Sequence, residues 1–238
     1  MATDYRVENK YVVSDRDIAL LKSRLNSVLK VDKHQKDDSY LIRSLYFDTY
    51  GGKCANENDA GVDDRKKYRI RIYDASDSLI HLEIKQKKHS LTRKTSCDIT
   101  KEETLALMSK ELWNENLPEF GERKALNDFL IKRKCQGLLP KAIIEYERSA
   151  YVYPIGNVRI TIDRNISASS SFEDFFSHKV GRIIPVMPKQ MHILEVKYDE
   201  LIPDFILQAL QVDDLQKSTF SKYYLGTLAL EGQFETFI

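Results

Sequence analysis

The sequence has few cysteines, no excess of charge of either sign and no long apolar run. Cys54, Cys97 and Cys135 are odd in number and widely spaced, and none belongs to a CxxC pair. They indicate neither a disulfide framework nor a zinc site, and they favour a reducing compartment. No apolar run is long enough to cross a bilayer, and the first residues lack the apolar region of a signal peptide. We therefore expect a cytoplasmic protein without direct membrane insertion, unless a partner such as a membrane protein tethers it.

Charge is balanced over the whole chain. The 37 Lys and Arg residues against 36 Asp and Glu residues give a formal net charge of +1, so any basic site must come from arrangement and not from excess. Aromatic residues stand beside Arg148, but without an RNP-like signature nucleic acid is not an expected partner. The 31% of charged and 42% of hydrophobic residues are typical of a globular protein. We expect residues 1–238 to form a single domain.

Alternation of polar and apolar residues with period two predicts a mainly β protein. Strands are expected at residues 6–13, 40–48, 65–74, 79–87, 91–99, 141–153, 158–163 and 190–198. Helices are expected at residues 14–29, 100–110 after a capping box, 119–135 and from about 204, with 217–230 as the last element. About eight strands can close a small barrel. The expected fold class is α+β: a closed antiparallel β-barrel forming a charged tunnel, with helices packed outside and a C-terminal helix closing over the tunnel.

Several of the predicted strands have one cationic face. In residues 65–73 the odd positions are basic and the even positions carry Tyr68, Ile70 and Ile72. The basic positions are Arg65, Lys67, Arg69 and Arg71. A single strand of this kind is explained by charges that face water. Here several strands place Arg or Lys beside Glu or Asp, and the predicted helices have apolar stripes that can cover the apolar face, which leaves the charges inside.

Cations lining a narrow bore repel one another and are costly to desolvate, so such a bore needs an anion. The planar fork of Arg and the point charge of Lys suit a chain of phosphoryl groups. The interleaved carboxylates suit Mg²⁺ or Mn²⁺, which binds one or two carboxylates together with phosphate oxygens. These residue types together indicate a metal-dependent site for a triphosphate or polyphosphate.

Eight short motifs occur in order between residues 6 and 223. They are Arg6-x-Glu8-x-Lys10-Tyr11, Tyr46-Phe47-Asp48-Thr49, Arg69-x-Arg71, Glu83-x-Lys85, Tyr146-x-Arg148-x-Ala150-Tyr151, Val158-Arg159-Ile160-x-Ile162-Asp163, Glu195-x-Lys197 and Phe220-Ser221-Lys222-Tyr223. The ordered set resembles the triphosphate tunnel metalloenzymes. Within them it is similar to the polyphosphate polymerase domain of the vacuolar transporter chaperone (VTC) complex and its stand-alone bacterial relatives.

The resemblance implies a role for each matching position. Glu195 would be the principal ligand of a Mn²⁺ or Mg²⁺ ion, with Glu8 as a helper. Ser221 and Lys222 would lie on the last helix, over the tunnel. The residues expected to be catalytic through their phosphate contacts are Arg69, Arg71, Lys85, Arg148, Arg159 and Lys197. Further phosphate-binding residues are expected to be Lys10, Lys87, Ser221 and Lys222.

The first motif departs from that of the related hydrolases. They carry Glu-x-Glu-x-Lys, whereas the first position of the motif in this chain is Arg6. A hydrolase must activate water, whereas the acceptor of a polymerase is a phosphate oxygen that is already anionic. The departure favours a polymerase that moves the γ-phosphoryl group of ATP onto polyphosphate, with pyrophosphate and triphosphate as further ligands. The alternatives are an inorganic triphosphatase or short-chain polyphosphatase, and a non-catalytic polyphosphate-binding module.

Other conspicuous residues have simpler interpretations. Tyr46 and Phe47 form a bulky pair on a strand and are interpreted as core. His81, His89 and His192 have no metal-ligand spacing and are interpreted as structural or exposed. The basic run at residues 85–89, continued by residues 93–94, is either a solvated hairpin tip or a guide for a polyanion at the tunnel mouth.

Overall fold

The computed structural model describes residues 6–35, 37–89, 91–109, 123–212, 215 and 217–233. Within these ranges the chain forms one sheet with α-helices on both of its faces. The strands are β1 (Val7–Ser14), β2 (Lys30–Val31), β3 (Tyr40–Asp48), β4 (Arg65–Tyr73), β5 (Ser76–Lys88), β6 (Leu91–Asp98), β7 (Leu139–Tyr153), β8 (Val158–Ser169), β9 (Ile184–Pro185) and β10 (Met191–Tyr198). The helices are α1 (Asp15–Val28), α2 (Lys53–Asp59), α3 (Lys101–Met108), α4 (Lys124–Gln136), α5 (Asp204–Ala209) and α6 (Lys222–Leu230).

Two helices begin at capping boxes, and the sequence predicts the second of them, at Thr100. Ser14 Oγ accepts a hydrogen bond from the Asp17 amide at 3.2 Å, and the Asp17 carboxylate accepts one from the Ser14 amide at 2.8 Å, so α1 starts at the next residue. Thr100 and Glu103 form the same reciprocal pair before α3. Residues 110 and 119–122, which the sequence assigns to helices, lie outside the described residues. Within the described part of the chain, no helix combines the length and apolar character needed to cross a membrane.

The sheet is open, so the prediction of a closed barrel is wrong. Its order is β1-β10-β8-β7-β3-β4-β5-β6, every neighbouring pair is antiparallel, and β2 and β9 pair with β7 and β8. The two edge strands approach at one bridge, where Arg6 and Thr92 exchange backbone hydrogen bonds of 3.2 and 3.3 Å. No further β1–β6 pair is found among the described residues. Alternation specifies which face a side chain takes, but not the twist and stagger that decide whether edges close.

Apolar side chains hold helices α1 and α4 against the convex face of the curled half-barrel. Phe129 of α4 packs edge-on against Phe47 and Tyr68, with ring centroids 5.0 and 6.1 Å apart. Leu21 and Leu25 of α1 are fully buried in a second cluster, formed with strands β8 and β10. The prediction that helices cover the apolar face is confirmed, and the cationic face of the strands is left on the concave side.

Helix α6 packs on the concave face of the sheet. By alternation Ile144 shares a face with Tyr146 on β7, and a Cβ atom at Gly226 would lie only 2.2 Å from Cδ1 of Ile144. The missing side chain therefore lets α6 approach β7 closely. Tyr223 Oη also donates a 2.5 Å hydrogen bond to the fully buried Asp48 carboxylate. These contacts place the first turn of α6 against the residues that project from the concave face.

Candidate functional site

A cavity of about 150 Å³ opens on the concave face of the sheet. Strands from both halves of the sheet and the segment 218–223 contribute to its walls. The residues predicted for the site converge here almost completely. Those that line the cavity are Glu8, Lys10, Arg69, Arg71, Lys85, Lys87, Arg148, Glu195, Lys197, Ser221 and Lys222. Alternation predicts that these side chains share one face of the sheet, and the structure brings them to one cavity on that face. Their roles in binding or catalysis stay predictions.

Arg159 is the predicted site residue that does not line the cavity. It stands opposite Lys197 in the β8–β10 register, so alternation assigns it to the concave face. Its guanidinium instead lies 2.8 Å from the buried Asp32 carboxylate and donates a 3.2 Å hydrogen bond to Tyr40 Oη. Asp32 follows β2, a two-residue strand that the alternation does not indicate. The structure therefore separates Arg159 from the other cations.

Two buried carboxylates orient the arginines of the cavity. Glu83 accepts from Arg69 at 2.5 Å and from Lys94 at 2.9 Å. Burial raises the pKa of Glu83, but Arg69, Arg71 and Lys94 outweigh burial and hold that pKa well below its ordinary value. Because the carboxylate stays ionised, it fixes one side of the Arg69 guanidinium in place.

Asp163 plays the same part on the other side of the cavity. Arg148 donates two hydrogen bonds to its carboxylate, of 2.6 and 2.7 Å, and Lys222 lies 2.6 Å away. Burial raises the pKa of Asp163, but Arg148 and Lys222 outweigh it and lower that pKa. The motif set contains both Glu83 and Asp163, but sequence reasoning gave neither a role. The sequence pattern that could have identified them is an acidic residue that shares a strand face with basic residues, at every second position.

Two tyrosine hydroxyls hold the arginines of β4 from the opposite side. Arg69 donates to Tyr46 Oη at 2.9 Å, and Arg71 donates to Tyr146 Oη at 3.2 Å. The Tyr46 ring is buried and stacks on Tyr223 with centroids 5.0 Å apart, as a core residue would. Its hydroxyl nevertheless reaches the cavity, so interpreting Tyr46 as core alone was incomplete. The register that pairs Tyr46 with Arg69 could not be read from the sequence.

Tyr46→Phe is expected to weaken tripolyphosphate binding by about 2- to 10-fold, because the lost hydrogen bond of about 0.5–1.5 kcal/mol helps to order Arg69. The dissociation constant would be measured calorimetrically without metal. Tyr68→Phe is the matched control, since Tyr68 packs on Phe129 at the convex face. Equal affinities of Tyr46→Phe and the unmodified protein would show that Arg69 needs no help from the phenol.

Two carboxylates lie together at the β1–β10 wall of the cavity. Glu8 and Glu195 sit diagonally across these strands, on either side of the Lys10 amino group. Lys10 Nζ lies 3.2 Å from Glu8 and 3.8 Å from Glu195, and Lys85 Nζ lies 2.8 Å from Glu8. Burial and Glu195 act to raise the pKa of Glu8, yet Lys85, Lys197 and Lys10 hold it at about 2. Burial acts to raise the pKa of Glu195 as well, but Lys197, Lys10 and Lys222 hold it well below its ordinary value, so both groups are anionic at neutral pH.

This donor set fits a hard divalent cation that completes its shell with ligand oxygens. Mg²⁺ is ordinarily bound by one or two carboxylates together with phosphates and water. Within the described ranges no group of three or more His, Cys, Asp or Glu side chains could hold a metal ion. Glu8 and Glu195 would hold Mg²⁺ or Mn²⁺ only together with a phosphate chain, which would also draw Lys10 and Lys85 away from the carboxylates.

An open half-barrel with arginines and lysines around paired carboxylates on its concave face places the chain in the triphosphate tunnel superfamily. The sequence model of the VTC domain matches residues 5–231, and the chain belongs to the VTC domain family. The resemblance drawn from the eight motifs is thereby confirmed. No curated protein sequence matches the chain significantly.

Comparison with solved structures found chains of low sequence identity. A candidate adenylate cyclase of Bacillus halodurans superposes with a TM-score of 0.50 at 18% identity, over 89% of this chain and 88% of that one. The PH1819 protein of Pyrococcus horikoshii OT3 superposes with a TM-score of 0.45 at 12% identity, over 94% of this chain and 99% of that one. A candidate adenylate cyclase of Vibrio parahaemolyticus superposes with a TM-score of 0.44 at 14% identity, over 97% of this chain and 88% of that one. At such identities the likeness to the Bacillus halodurans protein concerns the fold alone.

Proposed function

We propose that this chain is a metal-dependent polyphosphate polymerase, which transfers the γ-phosphoryl group of ATP to the end of a polyphosphate chain and releases ADP. The observation that carries the proposal is the convergence of cations from separate strands on one cavity that also holds two adjacent carboxylates. Phosphoryl transfer depends chiefly on positioning and on neutralising charge. A cavity with this lining has the residues for both tasks.

The arginines are oriented before any ligand arrives. Arg69 is held between Glu83 and Tyr46, and Arg148 is held by Asp163. Donors that are already in place stabilise a transition state without paying for reorganisation during the reaction. In our proposal, Arg69, Arg71 and Arg148 bind the equatorial oxygens of the transferred group, while Lys10, Lys85 and Lys197 neutralise the neighbouring phosphates. Bound Mg²⁺ or Mn²⁺ would supply further charge neutralisation between phosphate oxygens.

The position of Arg6 supports transfer to phosphate over hydrolysis. Arg6 is not among the residues that line the cavity. Its guanidinium lies 2.9 Å from Asp199 and donates to the Asn157 carbonyl. The carboxylate that the hydrolase motif would supply at this position is therefore replaced by a cation turned toward another partner. A terminal phosphate oxygen needs no general base to become a nucleophile, so the remaining residues suffice for a polymerase.

Incubation with ATP and Mn²⁺ or Mg²⁺, followed by gel analysis of polyphosphate and assay of ADP, tests the proposal. Long polyphosphate formed in step with ADP is the expected result. Orthophosphate alone would identify a triphosphatase or polyphosphatase instead, and binding of polyphosphate without turnover would identify a non-catalytic module.

A matched pair of variants ties the activity to the cavity. Arg69→Met is expected to lower turnover by about 10- to 100-fold, the effect of losing a charged hydrogen bond of about 1.5–3 kcal/mol. Lys66→Met removes a charge from the same strand, but Lys66 pairs with Gln86 on the opposite face and should leave turnover unchanged. Equal losses in both variants would place the chemistry outside the cavity.

A further inference from the structure

Lys67 is a cavity lysine that has no acidic partner among the residues the structure describes. Its amino group donates to Asn58 Oδ1 and to Ser221 Oγ, each at 2.7 Å. Both acceptors are neutral, whereas Lys85, Lys197 and Lys222 each lie within 3 Å of a carboxylate. Among the described residues no carboxylate is within ion-pair distance of Lys67. A neutral amine has two N–H groups, and these two hydrogen bonds use both of them.

Cationic residues flank Lys67 on β1, β4 and β5. The β4–β5 register places Lys67 directly opposite Lys85, and Arg65 opposite Lys87. Like charges facing each other across strands are destabilising. Lys10 approaches from β1, and the Cys54 thiol of α2, which burial keeps neutral, supplies no compensating charge. Burial first, then Lys10, Lys85 and Arg65, lower the pKa of Lys67 well below its ordinary value.

An incoming phosphate would reverse this balance. Its oxygens bring negative charge next to the Lys67 amine, which has no anionic neighbour among the described residues. Protonation then gives that amine a third N–H group, directed to the ligand. Ser221 Oγ already accepts from Lys67 and from the Tyr224 amide, so its own proton is left to donate to a phosphate oxygen. Asn58 and Ser221 thus keep Lys67 at the cavity wall in both protonation states.

We propose that Lys67, Asn58 and Ser221 form a phosphoryl-binding subsite at which binding of the anion is coupled to uptake of one proton from solvent by Lys67. The ligand class is a phosphoryl group within an inorganic phosphate chain or a nucleoside triphosphate. The inference rests on the proposed function only in requiring that the cavity binds such chains. Because the bound state carries the extra proton, affinity rises as pH falls through the range between the free and bound titrations.

Calorimetric titration with tripolyphosphate, without metal, tests the subsite. Measurements from about pH 7 to about pH 9, in buffers of different ionisation enthalpy, give the number of protons exchanged on binding. The unmodified protein should take up as much as about one proton more than Lys67→Met does. The difference between the two removes the protons exchanged by the ligand itself. Lys67→Met should also bind about tenfold more weakly at the lower pH values, where the charged hydrogen bond is lost.

Two variants separate a proton-coupled residue from a structural one. Lys67→Arg is charged at every pH used, so it should retain affinity while losing the additional proton uptake. Lys66→Met, on the opposite face of β4, should behave as the unmodified protein does. Identical proton uptake in the unmodified protein, Lys67→Met and Lys67→Arg would overturn the subsite while leaving the proposed function standing. Failure of the unmodified protein to bind tripolyphosphate would overturn the proposed function, and the subsite with it.

Discussion

Glu195→Gln is expected to reduce metal-dependent turnover by at least about 100-fold while leaving metal-free binding of tripolyphosphate intact or tighter. Glutamine keeps the shape of the side chain and removes the charge that would hold Mg²⁺ or Mn²⁺, whose electrostatic contribution is several kcal/mol. Lys197 and Lys10, which lie 2.9 and 3.8 Å from the Glu195 carboxylate, then lose an anionic neighbour. Their charge becomes more available to phosphate, which is why affinity should not fall.

The two readouts for Glu195→Gln distinguish metal binding from folding. Turnover would be followed by ADP release with Mn²⁺ or Mg²⁺, and affinity by calorimetry in chelator. Glu147→Gln is the control, since Glu147 is 41% exposed and pairs with Arg164 at 3.5 Å, outside the cavity. Full activity in Glu195→Gln would show that this carboxylate does not bind the metal. Parallel loss of turnover and of metal-free binding would indicate a damaged cavity instead.

Asp163→Asn is expected to destabilise the free protein by about 3–5 kcal/mol, the cost of removing one partner of a buried ion pair. Asp163 is fully buried, and Asn in its place would leave Arg148 and Lys222 without their closest anion. The free energy of unfolding would be measured by urea titration. Asp38→Asn should cost no more than about 1 kcal/mol, because the Asp38 side chain is 67% exposed where it pairs with Lys22 and Arg164.

Tripolyphosphate should restore part of the stability lost in Asp163→Asn, because it returns negative charge to Arg148 and Lys222. A ligand at 100 times its dissociation constant stabilises a folded protein by about 2.7 kcal/mol. The midpoint of thermal unfolding, measured with and without tripolyphosphate, reports this effect. A loss below about 1 kcal/mol in Asp163→Asn would mean that the buried cations do not depend on this carboxylate.

Acid should weaken the same interactions in the unmodified protein. The pKa of Asp163, Glu83 and Glu195 is lowered in the folded state, and that of Glu8 falls to about 2. A carboxylate whose folded pKa is depressed contributes stability above its unfolded pKa, and that contribution is lost as pH falls toward the folded value. For Glu8 the loss therefore occurs below its ordinary pKa and is complete only near pH 2.

The strands and their faces could be predicted because alternation is local. The cationic row from Arg65 to Arg71 needed only the period of two to be assigned to one face, and the structure places that row along the cavity. The capping box at Thr100 was equally local, since it involves residues three apart. Local patterns of this kind also carried the ordered motifs on which the family resemblance was based.

Partners that are distant in sequence could not be predicted in the same way. Arg159 has the expected face, but Asp32, 127 positions earlier, holds its guanidinium outside the cavity lining. Tyr46 is a bulky aromatic residue typical of a core. Its register opposite Arg69 nevertheless lets its hydroxyl accept a hydrogen bond from the Arg69 guanidinium. Lys67 resembles its neighbours on β4 in sequence, but the fold brings Asn58 of α2 and Ser221, the residue before α6, to it as neutral acceptors.

The strand pattern, the concave set of charges and the membership of the VTC domain family follow from the order of residues alone. The open edge between β1 and β6, and the choice of which described cations pair with a carboxylate, arise only in the folded chain. The reason is physical: alternation is a property of neighbouring residues, whereas sheet closure and ion pairing depend on twist, register and distances between segments far apart in the chain.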